Sequence, residues 1–353
     1  MKVIRRLDLM RKERRPVLLA AGFFDGMHRG HQQVIRQAVA EGKKGTGRAW
    51  VMTFDTHPMK VTRPEMAPSL LTSTPHKLHL LNSLGVQGCV VLHFTRTLAR
   101  LEPESFIEML VRSVPALHSL FVGQNWTFGR NGHGTSDILR PLAKAHGFRV
   151  NIIPPVCWKR KAISSTRIRR DIMAGKLAAA AHMLGRPVSI WGTVVRGNKI
   201  GTSLGFPTAN LDPHNEVFPP DGVYAVQAVI GATPCPGIVN LGTRPTLGTR
   251  RKTCPTRSPA RNVQYQGTTS PGSERKDRER VLELHLFNIT QDLYRQDIEV
   301  FFLKKLRNER RFSSLQALKH RVEKDMVQAR EWLQQHSGQE EVTAYRSMGV
   351  SGY

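Results

Sequence analysis

Four cysteines among 353 residues, Cys89, Cys157, Cys235 and Cys254, leave no paired spacing for a zinc site or a disulfide framework, and they fit a reducing compartment. Long hydrophobic runs are missing too. None approaches the roughly 20 apolar residues that cross a bilayer, so no membrane partner is expected. The basic start MKVIRRLDLMRKERRP is followed by no apolar signal-peptide core, and a cytoplasmic enzyme is expected. Acidic residues are scarce. Against 53 Lys and Arg stand only 27 Asp and Glu, a net charge of +26, which points to polyanionic partners. Dense basic runs are few, however, and no aromatic-studded RNA-binding motif is present. Phosphate-bearing small molecules therefore rank above nucleic acid. A homo-oligomer is left open.

What the chain does contain falls into two grammars. Apolar strand-like runs VLLAAG (17–22), AWVMTF (49–54), VQGCVVLHF (86–94), HSLFVG (118–123) and FRVNII (148–153) alternate with helical segments, several of which end in glycine. That alternation predicts a doubly wound parallel α/β sheet, whose ligands bind beyond the carboxyl ends of the strands. After a helical stretch at about 165–185, short strands separated by Gly, Pro and Asn turns predict a small antiparallel β-barrel, and 313–336 reads as an amphipathic C-terminal helix capped by Ser313 or Ser314. The expected domains are 1–185 and 186–336, followed by a flexible tail, 337–353. Residues 249–280 carry nine Lys/Arg, three prolines and almost no apolar side chains, so they cannot build a core and read as a basic insertion.

The stretch GFFDGMHRGH (22–31) closes the first long apolar strand and opens a helix. His28 and His31 are spaced to share a helix face beside unpaired N–H groups, a setting for phosphate, and Gly30 allows a close backbone approach. Such a pair also arises in ordinary loops; its place after the strand gives it weight. A second segment, ISSTRIRRDI (163–172), sets Ser164, Ser165 and Thr166 to cap a helix. Arg167 and Arg169 follow in the first turn, where the helix dipole disfavours cations and a bound anion would offset them.

The HxGH pair and ISSTRIR, together with FDTHP (54–58) and FVGQNWTFGRNGHG (121–134), resemble the adenylyltransferase module of bacterial bifunctional riboflavin kinase/FAD synthetases. GNKIGTSLGFPTAN (197–210), GVYAV, NLGTRPT, LELHLFN (282–288) and LRNERRF (306–312) resemble the riboflavin kinase module of the same family. The resemblance implies two ATP-dependent steps, riboflavin to FMN and FMN to FAD, with magnesium. It places His28 and His31 on the ATP phosphates, with Gly22, Phe24, Asp25, Gly30, Ser164, Thr166, Arg167 and Arg169 around the nucleotide. Asn125, Trp126, Phe128, Asp55 and His57 fall on the FMN side. In the second module it implies Glu283 as general base, Thr208 and Asn210 as magnesium ligands, Gly201, Gly205 and Pro207 over the nucleotide, and Arg307 and Glu309 at riboflavin.

Several positions depart from the family's pattern. Thr56 replaces a proline, Asn198, Ile200 and Thr202 stand where Asp and two arginines are expected, and Asn288 stands where Asp is common. The missing guanidiniums would weaken ATP binding. The alternative is therefore a FAD synthetase whose kinase module is weakened or inactive. An aminoacyl-tRNA synthetase would share HxGH but needs a lysine-bearing loop where ISSTR stands, and a basic RNA-associated protein rests on charge alone.

Overall fold

Strands that are apolar on both faces need helices on both sides, and the N-terminal half supplies them. The computed structural model describes residues 1–196, 206–231, 233–243, 280–289 and 291–336. In chain order it runs β1 (Lys2–Ile4), β2 (Val17–Ala21), α1 (Arg29–Lys44), β3 (Arg48–Phe54), α2 (Pro58–Thr62), α3 (Thr74–Ser83) and β4 (Gly88–Leu92). It continues with α4 (Arg96–Ala99), α5 (Pro103–Ser113), β5 (Leu117–Gly123), α6 (Ser136–Ala145) and β6 (Arg149–Ile153). The six strands form one parallel sheet in the order β1-β4-β3-β2-β5-β6. Along β2, Leu18 and Ala20 face α1 and α3, while Val17, Leu19 and Ala21 face α5 and α6. Gly88 is required by packing: a Cβ there would overlap the Trp50 ring of the neighbouring strand.

A two-residue hairpin, β7 (Cys157–Trp158) and β8 (Lys161–Ala162), leads into α7 (Ser165–Met173) and α8 (Leu177–Leu184). The single helical stretch expected here is two helices, parted at Gly175. The barrel follows: β9 (Val188–Val195), β10 (Ala209–Pro213), β11 (Gly222–Ile230), β12 (Thr233–Thr243), β13 (Arg280–Leu286) and β14 (Asp297–Arg307). It closes in the order β10-β13-β12-β11-β14-β9, which leaves no unpaired edge. Then α9 (Leu315–Gln335), capped by the Ser314 hydroxyl accepting from the Ala317 N–H at 3.1 Å, packs Ala329 against Val223, Ala225 and Phe287. The architecture is the one expected from the sequence. Of the basic insertion 249–280 only Arg280 is described, as the first residue of β13; the rest of it, Asn198, Ile200, Gly201, Thr202, Gly205 and the tail 337–353 lie outside the described residues.

The two halves are joined by polar contacts that no sequence pattern announced. The segment Ser69–Thr72 lies between them. Leu70 N–H donates to the Glu216 carboxylate at 2.7 Å, and the Leu71 carbonyl accepts from the Asn215 side-chain amide. Glu299 of β14 is buried against His76 of α3 at 2.8 Å and Ser189 of β9 at 2.6 Å. Those contacts hold its carboxyl well below the usual range despite burial.

Candidate active sites

At the carboxyl end of β2 the chain makes a tight left-handed turn, with φ of 55° at Phe24, 77° at Gly26 and 43° at Met27. The turn is fastened from several sides. Asp25 accepts from the N–H groups of Leu71 and Thr72, each at 3.0 Å, and from Arg169 at 2.8 Å. The Gly26 carbonyl accepts from Arg186 at 3.1 Å. His28 emerges from this turn as the cap of α1, its Nδ1 accepting from the His31 N–H at 3.3 Å. With Nδ1 accepting, the neutral ring carries its proton on Nε2. The two imidazoles stack at 3.6 Å, and a Cβ at residue 30 would stand 3.1 Å from the His28 ring. Gly30 thus makes room for the ring stack.

Burial, helped by the Arg186 charge, pushes His28 down to about 4, and burial drives His31 well below its ordinary value. Near neutral pH both are therefore uncharged hydrogen-bonding groups, and His31 Nδ1 is buried without a partner among the described residues. A stability consequence follows. Between pH 6.5 and 4 the unfolded chain protonates His28 while the folded chain does not, so the folded state loses stability as pH falls through that window. The loss from His28 is at most about 3 kcal/mol. Denaturant midpoints at pH 7 and pH 5 should show the decline, and His28→Asn should reduce it.

Asp25, placed by resemblance among the ATP residues, is 3% exposed and committed to Leu71, Thr72 and Arg169. Arg169 also donates to the Ser69 carbonyl at 2.6 Å. The anion read from the cations of α7 is thus supplied beside Arg169 by the chain itself. Arg167 donates to the carbonyls of Trp158 and Lys161 and lies 5.0 Å over the Trp158 ring. Ser164 caps α7, accepting from the Arg167 N–H at 3.3 Å, and Thr166 is exposed. In Asp25→Asn the Arg169 guanidinium loses its counter-charge in a site where only 12% of its side chain is exposed. The expected cost is about 3–5 kcal/mol, read as a lowered denaturant midpoint.

On the α5 side of the same strand ends lies a cavity of about 360 Å³, lined by Gly22, Phe54, Phe94, Phe106, Trp126 and Phe128 among others. Trp126 and Phe128 stack at 4.8 Å; Phe128 belongs to the core while Trp126 is half-buried on it. Asn125 is exposed and does not line the cavity. Asp55 pairs with His93 at 3.0 Å, and His57 caps α2 through the Met59 N–H with its ring edge-on to Phe23 at 4.6 Å. Both flank the cavity without lining it.

A second candidate site lies on the outer face of the barrel. Leu282, Leu284 and Leu286 point into the barrel core, so Glu283 points outward, between Asn210 of β10 and Asn240 of β12 in register. Glu283 is exposed, whereas Asn210 is 8% exposed with a side-chain oxygen that has no partner among the described residues. Thr208 and Pro207 line a cavity of about 600 Å³ at the barrel mouth, with Arg196, Leu286, Asp292 and Tyr294. The Pro207 carbonyl is held by His285 at 2.9 Å. Arg307 is bonded to Asp325 of α9 at 2.8 Å. Burial and Asp221 raise the Glu309 carboxyl, and the Glu283 charge adds to the rise, so these acids share one neighbourhood. Asn288 occupies a left-handed turn, φ 59°, which Asn adopts as readily as Asp.

Lys77 is the main residue of the first site that the sequence reading left out. It was legible. Lys77, Leu80 and Leu81 fall at i, i+3 and i+4, with Leu84 at i+7 as the cap residue after α3, so a lysine sits on the apolar side of that helix.

A neutral histidine pair at a helix start, an aromatic cavity beside it, and a carboxylate next to an orphaned amide oxygen on a closed barrel are groups suited to an enzyme of phosphate chemistry with two separate sites. The FAD synthetase family matches residues 10–167 and the riboflavin kinase family residues 184–333. A bifunctional riboflavin kinase/FMN adenylyltransferase of Escherichia coli K12 is 34% identical over 334 residues, 94% of this chain and 98% of that one. The Bacillus subtilis protein of the same name is 31% identical over 91% of this chain and 94% of its own. A crystal structure described as a macrolide-efflux protein from Streptococcus pneumoniae superposes with a TM-score of 0.70 at 26% identity, covering 92% of this chain and 97% of that one. Among the described residues no helix is long and apolar enough to cross a membrane. The chain belongs to the bifunctional riboflavin kinase/FMN adenylyltransferase family, and its activities are ATP-dependent phosphorylation of riboflavin and adenylylation of FMN.

Proposed function

We propose that residues 1–185 carry adenylyl transfer and 186–336 phosphoryl transfer, at the two sites described. The observation that carries this reading is the separation of two unlike sets of groups, neutral imidazoles at the start of α1, His28 buried and His31 half-buried, and an exposed carboxylate on the barrel. In the first site the flavin ring lies in the cavity against Trp126, and ATP lies over the start of α1. There His28, His31 and the free N–H groups of α1 stabilise charge on its phosphates. An FMN phosphate oxygen attacks the α-phosphorus, and the bond to the β-phosphate oxygen breaks to release pyrophosphate. The nucleophile is already ionised, so positioning rather than proton removal dominates.

In the second site Glu283 takes the proton of the riboflavin 5′-hydroxyl as that oxygen bonds to the γ-phosphorus and ADP leaves. The cavity at the barrel mouth takes ATP, with Thr208 joining it to the Glu283 side. The unpartnered Asn210 oxygen and the Thr208 hydroxyl are hard neutral donors that fit magnesium, a metal that keeps most of its shell from water and phosphates. Magnesium, when bound, supplies charge neutralisation on the transferring phosphates. We place the enzyme in the cytoplasm, in keeping with four cysteines too far apart in the sequence to form a disulfide framework. The test is a time course with riboflavin, ATP and magnesium, FMN and FAD being resolved by chromatography, in which substitutions at one site stop one step only.

A further inference from the structure

The three residues Gly22, Phe23 and Phe24 cross the first site from one substrate's side to the other's. Gly22 lines the aromatic cavity, and Phe24 meets the His31 ring edge-on at 5.4 Å. Between them the Phe23 ring lies 4.0 Å beneath the ammonium of Lys77. Lys77 is 1% exposed. Its Nζ donates to the Phe54 carbonyl at 3.2 Å and the Thr53 hydroxyl at 3.4 Å, both neutral acceptors at the carboxyl end of β3. A buried cation normally has a carboxylate in contact. Here the two nearby acids are paired elsewhere, Asp25 with Arg169 and Asp55 with His93.

We propose that Lys77 binds the phosphate of the FMN acceptor and holds it at the boundary between the aromatic cavity and the histidine pair. This rests on the assignment of adenylyl transfer to the α/β domain. The cavity side is favoured over the ATP side because Phe54, whose carbonyl holds the ammonium, is itself a wall of that cavity. The histidines add no cation, being neutral near pH 7; Arg63 lines the cavity from its exposed side, and Lys77 is the buried cation between the cavity wall and the histidine pair, placed to offset the incoming dianion there. Burial lowers Lys77 to about 8 in the ligand-free chain, where its counter-charge is incomplete. The groups facing it are Asp25 and Asp55 from the loops after β2 and β3, His31 from α1, His57 before α2 and Cys89 of β4. The Cys89 thiol is pushed up to about 12 by burial and stays neutral.

The experiment compares the full-length chain with Lys77→Met and Lys77→Arg, varying FMN and ATP in turn, with riboflavin phosphorylation reporting that each variant is folded. Lys77→Met should lower kcat/KM for FMN by on the order of 30- to 100-fold, the size of a charge-assisted contact, with the KM for ATP and the kinase rate unchanged. Lys77→Arg should recover part of the loss, since it keeps the charge in a different shape. In the unmodified chain kcat/KM for FMN should fall above pH about 8, and that limb should vanish in Lys77→Met. An unchanged FMN response, or a loss confined to ATP, overturns the proposal. If Lys77→Met fails to fold, the unmodified chain decides: no alkaline fall in kcat/KM for FMN also overturns it. An unmodified chain that makes FMN but no FAD would instead sink the assignment of the α/β domain.

Discussion

Replacing His28 with alanine leaves a chain that makes FMN and lets it accumulate. On the proposed reading the imidazole donates a hydrogen bond to the ATP phosphates from a buried, preorganised position, and the loss of one such donor is expected to slow transfer by about 10²–10³-fold. Riboflavin phosphorylation should continue at its normal rate, because Glu283 lies on the other domain. His28 also caps α1, and losing a cap costs only ~1 kcal/mol. His28→Asn restores a capping oxygen without the ring. If the asparagine variant regains stability but not FAD formation, the ring itself serves the chemistry.

The second large effect is expected at Glu283. Glu283→Gln keeps the shape of the side chain and removes its basicity, and phosphorylation should fall by about 10²–10⁴-fold. Because Glu283 is exposed on the outer face of β13, stability should stay within about 0.5 kcal/mol. FMN supplied from outside should still become FAD at the usual rate. A variant that loses both reactions would show that the two sites are not separable.

Much of this was legible because continuous apolar strands such as β2 and β4 have one architectural solution, helices on both faces. The HxGH stretch was legible as a site for the same reason: it falls where that architecture puts ligands. What escaped were features decided by three-dimensional pairing. β1 is three residues long and gains its identity only by lying beside β4. β10 begins inside GFPTAN, whose Gly and Pro read as a loop. Asp25 read as part of a phosphate site because its neighbours did, yet its partners Leu71 and Arg169 lie 46 and 144 residues away. Glu299 carries no local sign of its burial against His76, since each is unremarkable on its own element. Lys77 is the exception: its position on an apolar stripe was visible, and only its neighbours gave it a role.

The central claim is that one chain holds two independent sites linked by free or transferred FMN. The most direct measurement mixes the two crippled proteins. His28→Ala and Glu283→Gln, each unable to carry riboflavin to FAD, are combined with riboflavin, ATP and magnesium, and FAD is followed over time. FAD appearing after a lag in which FMN rises is the expected result. No FAD from the mixture, with the FMN formed remaining bound to His28→Ala although Glu283→Gln alone converts added FMN, would contradict it.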